Sequence, residues 1–116
     1  MTPNDIRALL NGYDHLPVEC DGFTRIATYL LAKHKVPHTV WLGKAWVGNH
    51  SIVPHFWITL PDGHAVDYRL RMWAGPKAPH GVFLVRDTNV VYDGKAIEMP
   101  VPDIVFEVLT QSLTGA

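Results

Sequence analysis

Three side chains in this sequence belong to residue types that cooperate in nucleophilic chemistry: Cys20, His55 and Asp67. Cys20 is the only cysteine, which rules out a disulfide within the chain and a cysteine-rich zinc cage. A thiolate attacks electrophilic carbon, and an imidazole accepts and returns the proton. A carboxylate on the imidazole's other nitrogen fixes its tautomer and raises its basicity. The scheme works only if the chain brings imidazole, carboxylate and sulfur together.

The stretch "PHFWITLPDGHAVDYRLR", residues 54–71, reads as two strands around a turn. Pro61-Asp62-Gly63 suits a three-residue hairpin loop: Pro presets the first turn position, Asp suits the second, and Gly takes the left-handed third. Leu60 then faces His64, Trp57 faces Asp67, and His55 faces Arg69. Alternation puts His55, Trp57, Ala65, Asp67 and Arg69 on one face. Phe56, Ile58, Leu60, Val66, Tyr68 and Leu70 take the other. His55 and Asp67 become diagonal neighbours, roughly 5–8 Å apart at Cβ. A two-residue Asp62-Gly63 turn would slip the register by one and part them. The other reading of this face is a half-exposed sheet surface with a satisfied polar pair.

Helices and further strands must position this hairpin. Thr2 fits an N-cap with Pro3 at the first helical position, and Ile6, Leu9, Leu10 and Tyr13 repeat at helical spacing up to a stop near Gly12. A second helix follows Pro17: Phe23, Ile26, Ala27, Leu30 and Leu31 form one apolar stripe, cations close its C-terminal end, and Pro37 stops it. Cys20 opens that helix, where backbone N–H groups and the dipole favour a thiolate and could hold an oxyanion. Strands are expected over 38–47, 55–60, 64–70, 82–86, 88–92 and 95–99, with Asp93-Gly94 as a hairpin turn between the last two. Residues 48–54 and 72–81 read as loops, and the second of these could overhang the site. A last helix is expected in "PDIVFEVLTQSL". The order of elements gives an α+β fold in a single domain over 1–116, with the Cys-bearing helix packed on a mostly antiparallel sheet.

Composition is that of a globular protein, 47% hydrophobic and 18% charged. A net charge of −1 gives no reason to expect nucleic acid or an anionic membrane as a partner. No apolar run approaches the roughly 20 residues of a membrane span, and "MTPNDIRALL" lacks a signal-peptide layout, so the cytoplasm is the expected compartment.

The stretches "ECDGFTRIATYLLAKHKVPHTVWLGKAW" and "PHFWITLPDGHAVDYR" resemble the core of transglutaminase-like proteins, relatives of the papain-like cysteine enzymes. In that family a Cys opens a helix, the next strand bears His-x-Trp (here His55-Phe56-Trp57), and a turn with Gly leads to a strand bearing Asp (here Asp67). The resemblance spans about residues 18–71. It implies Cys20 as nucleophile, His55 as base and Asp67 as the residue orienting it, in a compact transglutaminase-like or papain-like core. The implied reaction runs through an acyl-enzyme on an amide or related acyl group of a protein, peptide or small molecule, with hydrolysis as the default and no cofactor. For a second oxyanion donor or substrate contact the candidates are Asn11, Trp41 and Trp57, although the four tryptophans as a group suit core and cleft walls. The chain departs from the family at Val18, where Gly often stands, and at Asp67-Tyr68, where Asp-Pro is usual.

Other readings stay open. His34 and His38 and the set His50, His55, His64 and His80, with Asp62 or Asp67, could build a His/Asp zinc or iron site, although His34 and His38 straddle Pro37 and no HExxH is present. The fold could serve binding or inhibition without catalysis, and Cys20 could be an inert buried thiol.

Overall fold

The computed structural model describes residues 1–111. Helix α1 spans Pro3–Asn11 and α2 Cys20–Lys33. Strands β1 (Thr39–Val47), β2 (His50–Thr59) and β3 (His64–Asp67) follow, then a single-turn helix α3 (Arg71–Ala74) and β4 (Gly81–Leu84). A 3-10 turn over Val85–Asp87 leads into β5 (Val90–Ile97), and α4 (Asp103–Gln111) ends the described chain. The last two residues of the expected terminal helix, Ser112 and Leu113, lie outside the described residues. The fold is α+β, built on one antiparallel five-stranded sheet of order β4-β3-β2-β1-β5. Among the described residues, no helix is long and apolar enough to cross a membrane.

α1 starts with the capping arrangement its sequence implies. The Thr2 hydroxyl accepts from the Asp5 N–H and the Asp5 carboxylate accepts from the Thr2 N–H, satisfying two donors that the helix start would leave unpaired. α2 buries its stripe Phe23, Ile26, Ala27, Leu30 and Leu31 against Val40, Ile58, Leu60 and Val66 of the sheet. α4 packs on α2 through Phe106, whose ring stacks 4.1 Å from that of Tyr29. A separate cluster joins Ala45, Val47, Ile52, Leu70, Ala78 and Val90.

The Pro61-led hairpin takes the three-residue register. Ile58 pairs with Val66 and Thr59 with Ala65; the Leu60 N–H donates to the His64 carbonyl, and Gly63 takes a left-handed φ of 93°. The strands pair no further, because β3 ends at Asp67 rather than continuing to residue 70. Leu70 therefore joins the second cluster instead of the face of Ile58. Arg69, expected beside His55, sends its guanidinium to the segment before α2.

Two expectations fail on the other side of the sheet. Residues 50–54, read as loop, belong to β2, so only Gly48 and Asn49 separate it from β1. Asp93-Gly94 makes no turn: β5 runs straight through it, with Asp93 opposite Lys44 and Gly94 opposite Gly43. The glycines serve close approach rather than chain reversal. A Cβ on Gly43 would collide with the Asp93 carbonyl and the Gly94 backbone. One on Gly94 would come within 2.6 Å of the Leu42 carbonyl and 2.7 Å of the Trp57 ring. Gly43 also pairs with His55 on its other side, so the row Gly94–Gly43–His55 crosses three strands.

Gly94→Ala should therefore destabilise the protein by about 1–3 kcal/mol through overpacking. The urea midpoint should fall with the slope unchanged, and an unchanged midpoint would contradict the tight β1–β5 contact.

Candidate active site

Cys20 and Asp67 sit at the ends of their elements, and His55 lies within β2. Cys20 is the first residue of α2 and is partly exposed. The Glu19 side chain makes no capping hydrogen bond, so the N–H groups of the first turn keep their donor capacity. Gly22 lets the preceding segment fold back on this turn: a Cβ there would lie 2.8 Å from Val18 Cβ. Val18, the departure from the family pattern ahead of the cysteine, thus packs into space that Gly22 leaves free.

His55, on β2, is wholly buried, and Asp67, the last residue of β3, is 3% exposed. The His55 Nε2–H donates to Asp67 Oδ2 across 2.7 Å. His55 Nδ1 has no hydrogen-bond partner, while the Cys20 side chain is close enough to act on the imidazole. Burial disfavours a charged ring, but the bond to Asp67 outweighs it together with the interactions with Cys20, and the His55 pKa is pushed up to about 9. The shift favours the protonated imidazole at neutral pH.

Asp67 is held on both oxygens. Oδ1 accepts the Arg69 N–H at 3.2 Å, and Oδ2 accepts the Tyr92 hydroxyl at 2.7 Å besides His55. Tyr92 also stacks on Trp57, 4.5 Å between centroids, and Trp57 lies nearly parallel to the His55 ring at 6.0 Å. Arg69 adds the link to the cysteine. Its Nε donates to the Val18 carbonyl, its terminal nitrogens donate to Asp14 and to the Leu16 and Tyr68 carbonyls, and its plane covers the Phe23 ring at 4.7 Å. One side chain thus ties the end of β3 to the segment that delivers Cys20.

Cys20 opens onto a cleft of about 530 Å³ between the start of α2 and the first half of β2. Glu19 and Asp21 flank the thiol, Ser51 to Pro54 and Phe56 form one wall, and Trp73 of α3 closes the other side. Phe56, which alternation puts on the face of Ile58 and Leu60, is half-buried and serves as cleft wall. Trp73 lines the cleft, so the 72–81 stretch reaches the site at its start, as a helical turn rather than a plain loop.

The structure brings Cys20, His55 and Asp67 into one neighbourhood; Trp57, also a candidate substrate contact, is buried beside the His55 ring and does not line the cleft. The structure does not bring Asn11 and Trp41. The Asn11 amide oxygen accepts from the Tyr68 hydroxyl at 2.7 Å, and the Trp41 indole donates to Thr59 at 2.7 Å, so each spends its polar atom on the scaffold and neither lines the cleft. The proposed metal ligands are scattered among separate partners: His38 on Thr28, His64 on Asp62, His80 on Asp14. Among the described residues, no three His, Cys, Asp or Glu side chains converge. Sequence reasoning missed Tyr92, because a turn at Asp93-Gly94 would have carried it away from β1. The signal available was Gly43, a second glycine positioned to let that strand lie close. No family model, no curated protein and no solved structure matches the chain, so the site stands on its own geometry.

The raised His55 pKa carries a stability consequence. A group whose folded pKa lies above its unfolded value near 6.5 contributes stability that is full below about 6.5 and lost as pH rises through about 9. Urea midpoints between pH 6 and 10 should fall by an amount equivalent to about 1–3 kcal/mol. Asp67→Asn should flatten that fall; an equally steep fall in the variant would contradict the assignment.

Proposed function

We propose that this protein is a thiol-dependent acyl-transferring enzyme, a cysteine hydrolase acting on an amide or related acyl bond, on a transglutaminase-like or papain-like arrangement. The observation that carries the reading is the fully buried His55–Asp67 hydrogen bond, with the remaining imidazole nitrogen unpartnered and the Cys20 side chain acting on the ring at the floor of an open cleft. An inert buried thiol needs no such partner, and a merely structural His–Asp pair needs no cleft.

The chemistry starts from an imidazolium, since His55 is charged at neutral pH, and a paired thiolate is the nucleophilic form of Cys20. Cys20 Sγ attacks the acyl carbon, forming the C–S bond and placing the carbonyl electron pair on oxygen. The uncapped N–H groups at the start of α2 are the donors for that oxyanion. When the intermediate collapses, the bond to the leaving nitrogen breaks and His55 Nδ1 gives it the proton. Water then attacks the thioester as His55 takes its proton. The C–S bond breaks, the acid leaves, and the thiolate–imidazolium pair returns. Asp67 stays ionised throughout, holding the ring and its charge.

Iodoacetamide should modify Cys20 at neutral pH, and a panel of acylating activity probes should leave an acyl adduct on Cys20 in mass spectra. Cys20→Ala should abolish both, and Asp67→Asn should slow alkylation and turnover by about 10²-fold or more with the fold retained. A Cys20 thiol that alkylates only near the ordinary cysteine pKa of about 8.5 would overturn the reading.

A further inference from the structure

The geometry points to Tyr92 as a positioning residue of the site: its hydroxyl shares Asp67 Oδ2 with His55 and thereby sets how strongly the carboxylate holds the imidazole. The inference deepens the thiol-enzyme reading and rests on it for its catalytic meaning. Its physical content, a coupling between the phenol and the imidazole, stands on the hydrogen bonds alone.

Two donors from two strands meet on one carboxylate oxygen, each at 2.7 Å: the His55 N–H from β2 and the Tyr92 O–H from β5. A carboxylate oxygen divides its acceptor strength between such donors. The Tyr92 hydroxyl therefore draws negative charge away from His55 while it pins the carboxylate in place. The remaining oxygen is occupied by the Arg69 N–H, which leaves Asp67 little freedom to rotate toward His55 if the phenol is lost. The Tyr92 and His55 rings also share Trp57 as a stacking neighbour, at 4.5 and 6.0 Å between centroids. Burial and the Asp67 charge hold the Tyr92 hydroxyl well above 10, so it remains a donor over the working range of a cysteine enzyme. The groups that act on the imidazole are Asp67 from β3 and Cys20 from α2; the charge that acts on Tyr92 is Asp67. No other titratable group intervenes between the phenol and the ring among the described residues.

Tyr92→Phe removes the hydroxyl and keeps the ring on Trp57. In the intact protein, the NMR titration of the His55 ring should move to higher pH, because Asp67 Oδ2 now serves one donor. The upper limb of the Cys20 iodoacetamide pH–rate profile should move with it. In the Asp67→Asn background the same substitution should move neither, a result that a purely structural loss would not produce. Site-specific 3-fluorotyrosine at position 92, a stronger donor of nearly the same shape, should shift the His55 titration to lower pH, and it keeps the test open if the Phe variant unfolds. An unmoved His55 titration in both variants overturns the proposal, as does an equal shift with and without the Asp67 carboxylate. A wild-type Cys20 that neither alkylates at neutral pH nor forms acyl adducts sinks the enzyme reading instead, while the His55 titration still reports on Tyr92.

Discussion

Everything in the site depends on one buried carboxylate. Asp67 carries a charge in a place nearly without solvent, and such a charge persists only if protein donors replace the water it has lost. Three do so: a ring N–H from β2, a phenol from β5 and a main-chain N–H two residues further along. Satisfying the acid is the same act as orienting the imidazole. The polarity of that bond then fixes which imidazole nitrogen stays free, and the burial that penalises a charged ring is more than offset by the partner it brings. Structure and candidate chemistry share one set of hydrogen bonds.

The surrounding architecture reads as provision for that carboxylate. β2 and β3 stop pairing just before Asp67, which opens the sheet where the start of α2 arrives. On the other side, Gly43 and Gly94 let β1 and β5 approach so closely that the Trp57 ring lies against backbone. Trp57 then becomes a shared plate between His55 and Tyr92. Arg69 works at longer range, spending its guanidinium on carbonyls of the 14–18 segment so that the acid's strand and the cysteine's helix form one piece. A buried cation with this many acceptors is compensated where a partly paired one would be costly.

Much of this was legible in the residues. The Pro61-Asp62-Gly63 loop fixed the register, and with it the meeting of His55 and Asp67, because a proline-led loop of odd length allows one pairing. Thr2 and Asp5 announced the start of α1, and the apolar stripe announced α2. What escaped depended on partners distant in sequence. Asp93-Gly94 carries a strong local turn signal, yet the glycine is used for close contact with another glycine on β1, which no local pattern reveals. Tyr92 was hidden by the same error. Arg69 obeyed strand alternation on paper, but its strand ends at Asp67 and its guanidinium goes to the carbonyls of Asp14, Leu16 and Val18. Asn11 and Trp41 have the right chemistry for donors and lose that role to nearer partners, Tyr68 and Thr59.

The imidazole belongs to position 55 and the side chains gathered around it to positions 20, 67 and 92, and the last lies on the sheet's edge strand, laid down against β1. Pairings this distant along the chain carry a larger loop-closure cost than local helices and hairpins. The set of hydrogen bonds that holds Asp67 against the imidazole is therefore complete only once the edge strand is in place.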